Sequence, residues 1–347
     1  MNPDKQERYL PTLDGWRAVA ILMVVVSHLI TKNIVNQSSL LYAISFRMGT
    51  FGVMLFFAIS GFLICTRLLI EEESHGGISL RSFYVRRLFR ILPAAYVYLG
   101  AMILLATAGL IALEWRDVAG PAFFYANYQP VKSWATGHYW SLSLEEHFYL
   151  LWPPMLVLIG RGRARWACVG LIGLTSVLRV WSGAEGVEAG QTHLRMDAFL
   201  FPCLLAILLR DARLAERFRT TMKPWVWWLI AAGTGLGMGL AYVVLSWKEP
   251  QRLLQSAAFP VFLAATVLRP EDWMGRILRL PVLEWLGRIS YSVYLWQQVV
   301  VGGDLGIPLV FQVPVILFLA VASERRVERP MIALGKRMAS SKVYASP

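Results

Sequence analysis

Residues 13–30 read LDGWRAVAILMVVVSHLI. The apolar run from Ala18 onward is interrupted by one histidine and preceded by one arginine. Arg17 and His28 are eleven residues apart, which on an α-helix is three turns plus about 20°. They therefore share one face, separated by roughly 16 Å along the axis. Taken alone, Arg17 is an ordinary snorkelling anchor at a membrane edge. A histidine deep in such a run is different, because burying an imidazole in hydrocarbon is costly unless it has a partner or a task. The stretch thus predicts a membrane helix that presents a phosphate-friendly guanidinium at one boundary and a candidate base deeper in.

The rest of the chain agrees. Its 347 residues would make about two soluble domains by length, but 56% are hydrophobic and only 16% charged. Mean hydropathy is +0.51. A soluble domain is about a quarter charged and cannot hide this much apolar surface in one core. Disorder and a disulfide-stapled secreted scaffold are excluded on the same grounds. The prediction is an all-α polytopic membrane protein. A span needs about 20 mostly apolar residues. Runs meeting or approaching this are Met48–Thr66, Ile91–Leu113, Pro224–Trp247 and Leu305–Ser323. Shorter ones are Ala18–Ile30, Phe148–Gly160, Trp166–Leu178, Ala198–Leu209, Leu253–Leu268 and Ile289–Gly303. Together they suggest ten spans.

The net charge of +12 would raise nucleic acid as a partner in a soluble protein. Here the distribution of the cations gives a better reading. With the N-terminus in the cytoplasm, the inner segments hold 25 of the 34 Lys and Arg and the outer segments 8, with Arg17 at a boundary. That bias places both termini inside and excludes nucleic acid as the explanation. The expected division is a cytoplasmic segment 1–12, a membrane domain 13–330 and a cytoplasmic tail 331–347. No cleavable signal peptide, appended soluble domain or internal repeat is expected. The outer segment 114–139 contains VAGPAFFYANYQPV, too short to span and suited to a re-entrant or interfacial piece. Cys65, Cys168 and Cys203 lack zinc-type spacing and read as small buried hydrophobes; no metal site is expected.

Several motifs carry candidate chemistry. GTFGVMLFFAISGF places Ser60 and Gly61 among small residues that let helices, or a slender substrate arm, approach closely. RSFYVRRLFRILP crowds Arg81, Arg86, Arg87 and Arg90 at an inner boundary. Topology and lipid headgroups account for most of these, but Arg87 and Arg90, at i and i+3, can share a polyphosphate. YWSLSLEEHFYLLWP sets Trp140, Glu145, Glu146 and His147 at the outer end of an apolar helix. Glu145 is expected at the depth of His28, as the carboxylate that orients its ring. In LRMDAFL, Arg195 and Asp197 read as a surface pair of little energetic value. LGRISYSVYLWQQVVV is unusually polar for a span, with Tyr291, Gln297 and Gln298 suggesting a lined cavity.

In that order, LDGWRAVAILMVVVSH, FFAISGF, RRLFRILP, YWSLSLEEHFYLLWP, LRMDAFL, LGRISYSVYLW and VERP resemble the acyltransferase-3 family of bacterial integral-membrane acyltransferases, from about residue 9 to 330. The resemblance implies transfer of an acyl group, usually acetyl, from cytoplasmic acyl-CoA to a hydroxyl of a glycan, lipid or macrolide, in the inner membrane. It implies a co-substrate rather than a permanently bound cofactor. It marks Arg17, His28, Ser60, Gly61, Arg87, Arg90, Trp140, Glu145, Arg195, Asp197 and Glu328. One departure is Gln297, where many members have histidine after YLW. The esterase-like C-terminal domain of some members is not expected. A proton-coupled transporter or flippase for an anionic lipid or glycan is the competing reading, since it too needs intramembrane His and Glu; the missing inverted repeat argues against it.

Impermeant thiol labelling checks the topology. Lys132→Cys should react from outside the cell and Arg213→Cys should not, and the opposite pattern would reverse the orientation.

Overall fold

The computed structural model describes residues 10–130, 132–183, 190–223, 225–226 and 248–340. Among these there is no strand. The long helices are α1 (Pro11–Asn33), α2 (Leu40–His75) and α3 (Leu80–Thr107). These three are long and apolar enough to cross a bilayer on their own. There follow α4 (Trp115–Ala122), a 3-10 turn (Ala126–Tyr128), α5 (Trp134–Gly137), α6 (Tyr139–Ser182), α7 (Thr192–Arg195), α8 (Asp197–Leu208) and α9 (Ala212–Thr221). The last group is α10 (Lys248–Leu268), α11 (Trp273–Leu278), α12 (Pro281–Val301), α13 (Leu309–Ser323), a π turn (Glu324–Glu328) and α14 (Arg329–Ser340).

Two segments differ from their boundaries read in the sequence. The run Ile91–Leu113 belongs to a helix that starts eleven residues earlier and ends at Thr107. Ser79 caps it, its hydroxyl accepting from the Ser82 amide at 3.3 Å. Gly109, at φ 71°, follows its end. Arg81, Arg86, Arg87 and Arg90 therefore ride on α3 itself, not on a loop. The basic segment 161–165 is likewise helical: α6 runs through it, broken at Gly160 (φ 71°, ψ 160°). Only glycine adopts that conformation without strain, so one residue divides the two expected spans. The expected span Pro224–Trp247 lies outside the described residues, apart from Trp225 and Val226.

The chain forms two compact units: residues 1–20, 51–78 and 147–288, and residues 21–50, 79–146 and 289–347. In the first, α8 packs on α10, and Phe199 stacks with Phe57 and Phe148 at centroid distances of 4.7 and 4.6 Å. Gly61 fits here because a Cβ would stand 2.6 Å from the Phe199 carbonyl oxygen. Trp16 donates its indole N–H to Thr266 Oγ1 at 2.9 Å. The three cysteines are buried and free.

In the second unit α14 packs along α3, where Gly335 leaves room for the Phe89 side chain. Pro93 removes an amide from α3. Two tyrosines donate to carbonyls on either side of it: Tyr291 to Ile91 at 2.9 Å and Tyr139 to Ala95 at 2.6 Å. Tyr98 donates to Ala135 at 2.6 Å, tying α5 to α3. The segment 114–139 is thus ordered by capping and side-chain bonds. Asp117 accepts from the amides of Glu114 and Ser133 at 3.0 and 2.7 Å.

The Arg195–Asp197 reading needs correction. Asp197 is not at the surface, and its ion-pair partner is Arg179, at 2.8 Å, with side-chain exposures of 0% and 1%. Arg179 donates through both terminal nitrogens to Asp197 and also to the Leu194 carbonyl; Ser256 donates to the second carboxylate oxygen at 3.0 Å. Helix folding brings Arg179, eighteen positions away in sequence, into a site that hydrocarbon would otherwise make prohibitive. Removing one partner of such a pair costs about 3–5 kcal/mol, whereas apolar replacement of both is often close to neutral. Asp197→Leu should therefore sharply lower the thermal midpoint of the detergent-purified protein, and Arg179→Met with Asp197→Leu should recover much of it. An unchanged midpoint in Asp197→Leu would show that the pair carries no stability.

Candidate active site

His28 lies in the second unit, in the C-terminal half of α1. Gly49 lets α2 come close beside it, since a Cβ there would stand 2.5 Å from Ser27 Oγ. The ring Nδ1 of His28 is 2.8 Å from Gln297 Oε1. The amide of Gln297 donates to Gln298 Oε1 at 3.0 Å, and the amide of Gln298 donates to the Trp134 carbonyl at 2.9 Å. Trp134 answers by donating its indole N–H to the Gln298 carbonyl at 2.8 Å. Gly302 permits this, because a Cβ there would collide with the Trp134 ring, 2.4 Å from Cδ1.

The chain of amides has a chemical consequence. Gln297 spends its N–H group on Gln298, so an oxygen, which can only accept, faces the histidine. Nδ1 must then carry the proton, and Nε2 of the neutral ring keeps its lone pair. Among the described residues Nε2 makes no hydrogen bond. The edge of Trp134 meets the His28 ring at 5.1 Å, and Lys32, one turn further along α1, lies 3.8 Å above the Trp134 ring.

The Nδ1 partner expected to be Glu145 is thus Gln297. Glu145 sits half-buried near the start of α6, in a second cluster of the same unit. There Glu146 is within electrostatic reach of Glu145 and Arg87. Tyr291 is within reach of Glu145, Glu146 and Glu328, and Glu328 within reach of Arg90. Arg87 also lies over the Phe83 ring at 5.9 Å. Glu328 accepts a short hydrogen bond from Ser292 and occupies the end of the π turn. Such a turn shifts a side chain off the regular helical register and often marks functional positions. Trp140 is half-buried in the first turn of α6.

The first unit holds the remaining predicted residues. Arg17 pairs with Asp14 at 3.3 Å across one helical turn. Ser60 is buried and accepts from the Tyr149 hydroxyl at 3.1 Å. Arg195 donates to the Met54 sulfur at 3.0 Å. Among the described residues no cluster of His, Cys, Asp and Glu is placed to hold a metal ion.

Sequence reasoning missed Trp134, Lys32, Arg179 and His138. His138 is fully enclosed by Tyr98, Tyr139 and Tyr294 with both ring nitrogens unbonded. The GHYW motif carries it, but linear spacing does not show that three tyrosines close around the ring. Gln297 and Gln298 were visible as polar residues in an apolar run, but which amide faces which partner is invisible in one dimension.

Comparison with known proteins shows what the chain is similar to. The chain is 29% identical over 330 residues to a Staphylococcus aureus (strain COL) protein named "Putative O-acetyltransferase", covering 86% of this chain and 51% of that protein. It is 29% identical over 385 residues to the "Putative peptidoglycan O-acetyltransferase" YrhL of Bacillus subtilis, covering 98% and 57%. It is 27% identical over 329 residues to the peptidoglycan O-acetyltransferase OatA of Listeria monocytogenes, covering 85% and 50%. The chain thus spans about half the length of these relatives. No solved structure matches it. The family model described as an acyltransferase domain matches residues 10–323, and on that match the chain belongs to the acyltransferase-3 family.

Proposed function

We propose that this chain is a ten-span O-acyltransferase of the bacterial inner membrane, both termini cytoplasmic. It moves an acyl group, most simply acetyl, from cytoplasmic acyl-CoA to a hydroxyl of an exported or cell-surface glycan. The observation that carries the reading is the fixed tautomer of His28. An alcohol attacks a thioester efficiently only if a base takes its proton during attack. His28 Nε2, with its lone pair kept free by the Gln297 contact, suits that task. The acceptor oxygen bonds to the thioester carbonyl carbon as Nε2 takes the hydroxyl proton. The carbon–sulfur bond then breaks, and the imidazolium returns the proton to the departing CoA thiolate. Gln297 would stabilise that imidazolium through Nδ1–H.

On the donor side, Arg17, at the opposite end of α1 from His28, and Arg87 and Arg90 on α3 are the groups assigned to CoA phosphates. Gly61 is closed off by the approach of Phe199 and Pro202; Ser60 would line the path of the pantetheine arm, and Trp140, Arg195, Asp197 and Tyr291 would shape the site. Glu145 is assigned to the acceptor side of the second cluster, with a supporting role in catalysis. The membrane domain would run to about residue 330, followed by a cytoplasmic tail. The names of the Bacillus and Listeria relatives support a glycan acceptor of the peptidoglycan type.

A general base contributes about 10²–10⁴-fold. With purified protein and labelled acetyl-CoA, His28→Ala should lose at least that much in kcat while still binding the donor. Gln297→Leu should lose less, and Glu145→Gln less again. Near-normal turnover of His28→Ala would end this mechanism, and a trapped acyl-histidine would replace it with a covalent one.

Charge-assisted contacts to phosphate contribute about 1.5–3 kcal/mol each. Arg17→Ala or Arg90→Ala should accordingly weaken acyl-CoA binding by about ten- to a hundred-fold in calorimetry. Unchanged affinity in both variants would remove these arginines from the donor site.

A further inference from the structure

His138 is only 3% exposed, and neither of its ring nitrogens has a hydrogen-bond partner among the described residues. Orphaned groups of this kind are rare in native structures, and each asks for a reason. The rings of Tyr98, Tyr139 and Tyr294 enclose it at centroid distances of 5.1, 5.0 and 5.5 Å. Their hydroxyls are committed elsewhere. That of Tyr98 donates to the Ala135 carbonyl and that of Tyr139 to the Ala95 carbonyl, while that of Tyr294 is bonded to Ser141 Oγ and to the His138 carbonyl. An apolar ring would fill this space without desolvating two nitrogens, so packing alone does not account for a histidine here.

Its place points to the reaction. His138 follows Trp134, whose edge meets the His28 ring, by one helical turn, and it lies within electrostatic reach of His28. A second unbonded N–H, that of Trp296, belongs to a ring that meets Tyr98 at 5.3 Å, one residue before the Gln297 that holds His28. Burial lowers the His138 pKa, and His28 adds to the effect. The ring therefore stays neutral, with one N–H and one lone pair. Such a ring is ill suited to carry a proton, but it keeps a donor uncommitted.

Acyl transfer needs a donor of this sort. As the acceptor oxygen adds to the thioester carbonyl carbon, an electron pair moves onto the carbonyl oxygen, and in a dry site only protein groups stabilise the charge formed there. A donor left unsatisfied at rest and satisfied by that oxygen favours the transition state over the ground state.

We propose that His138 is a catalytic residue, its ring N–H binding the oxyanion formed on the thioester carbonyl while His28 takes the acceptor's proton. When the carbon–sulfur bond breaks, the electron pair returns to the carbonyl, and His138 has neither gained nor lost a proton. The tyrosine enclosure keeps water from the N–H until the thioester enters and displaces a ring. This rests on the acyl-transfer reading and adds to it the group that stabilises the intermediate.

The test has a spectroscopic arm and a kinetic arm. The probe for the first is the ketone analogue of acetyl-CoA in which CH2 replaces the thioester sulfur, so that nothing can leave, with an isotope label in its carbonyl. Bound to the full chain in detergent, its carbonyl infrared stretch should lie lower in the wild-type protein than in His138→Phe. In His138→Gln, which keeps a side-chain N–H, it should lie nearer the wild type. The same frequency in the wild type and His138→Phe would overturn the proposal.

In the second arm, His138→Phe should lose about 10²–10³-fold in kcat, with KM for acetyl-CoA within about twofold and the inflections of the pH profile in place. Its thermal midpoint should equal or exceed that of the wild type, because two unsatisfied nitrogens are gone. His138→Gln should recover part of the rate. Should His138→Phe not fold, the same comparisons are made with His138→Leu. A loss in kcat of less than about tenfold would overturn the proposal, as would a displaced pH profile, the mark of a proton carrier, or a lowered midpoint, the mark of a structural role. Failure of the wild-type protein to transfer acetyl to any hydroxyl would refute the acyltransferase reading instead.

Discussion

A polar group inside an apolar helix bundle has no water to fall back on, so leaving it without a partner in the chain is costly. That constraint organises both units. In the first, Asp197 is tolerable only because Arg179, Ser256 and the geometry of α6 and α8 converge on it. In the second, Pro93 disrupts the regular ladder of α3, and tyrosines from α6 and α12 donate to carbonyls around it. These bonds do two things at once. They satisfy the backbone, and they fix α12 and the start of α6 against α3.

The same matching of donors and acceptors sets the orientation of the His28 ring. The chain from Trp134 through Gln298 and Gln297 to His28 has a direction, because each amide can donate only from nitrogen. Its far end is anchored to the backbone of α5, which is held in place by Tyr98 and by the close approach of Gly302. A histidine on α1 thereby inherits its proton position from a short helix more than a hundred residues away. Gln297 cannot titrate, so its orienting bond to His28 persists whatever the pH.

The charged groups follow similar lines. Arg87 lies within electrostatic reach of Glu146, and Arg90 of Glu328, in the second unit, so the basic stripe on α3 is partly balanced from inside the protein.

The sequence alone determined the class of molecule. Apolar run lengths, the skewed arginine count and the Arg17–His28 spacing are properties of one helix in one solvent, and need no knowledge of neighbours. Motif order did the same for the family. What only the tertiary structure decided is which groups meet. Asp197 turned out to answer to Arg179 rather than Arg195, and His28 to Gln297 rather than Glu145. Arg86, Arg87 and Arg90 proved to ride on a helix, and Gly160 to break one. Pairing across helices depends on crossing geometry and side-chain direction. These are fixed by close approaches at single residues such as Gly49, Gly61 and Gly302, and no local periodicity records them.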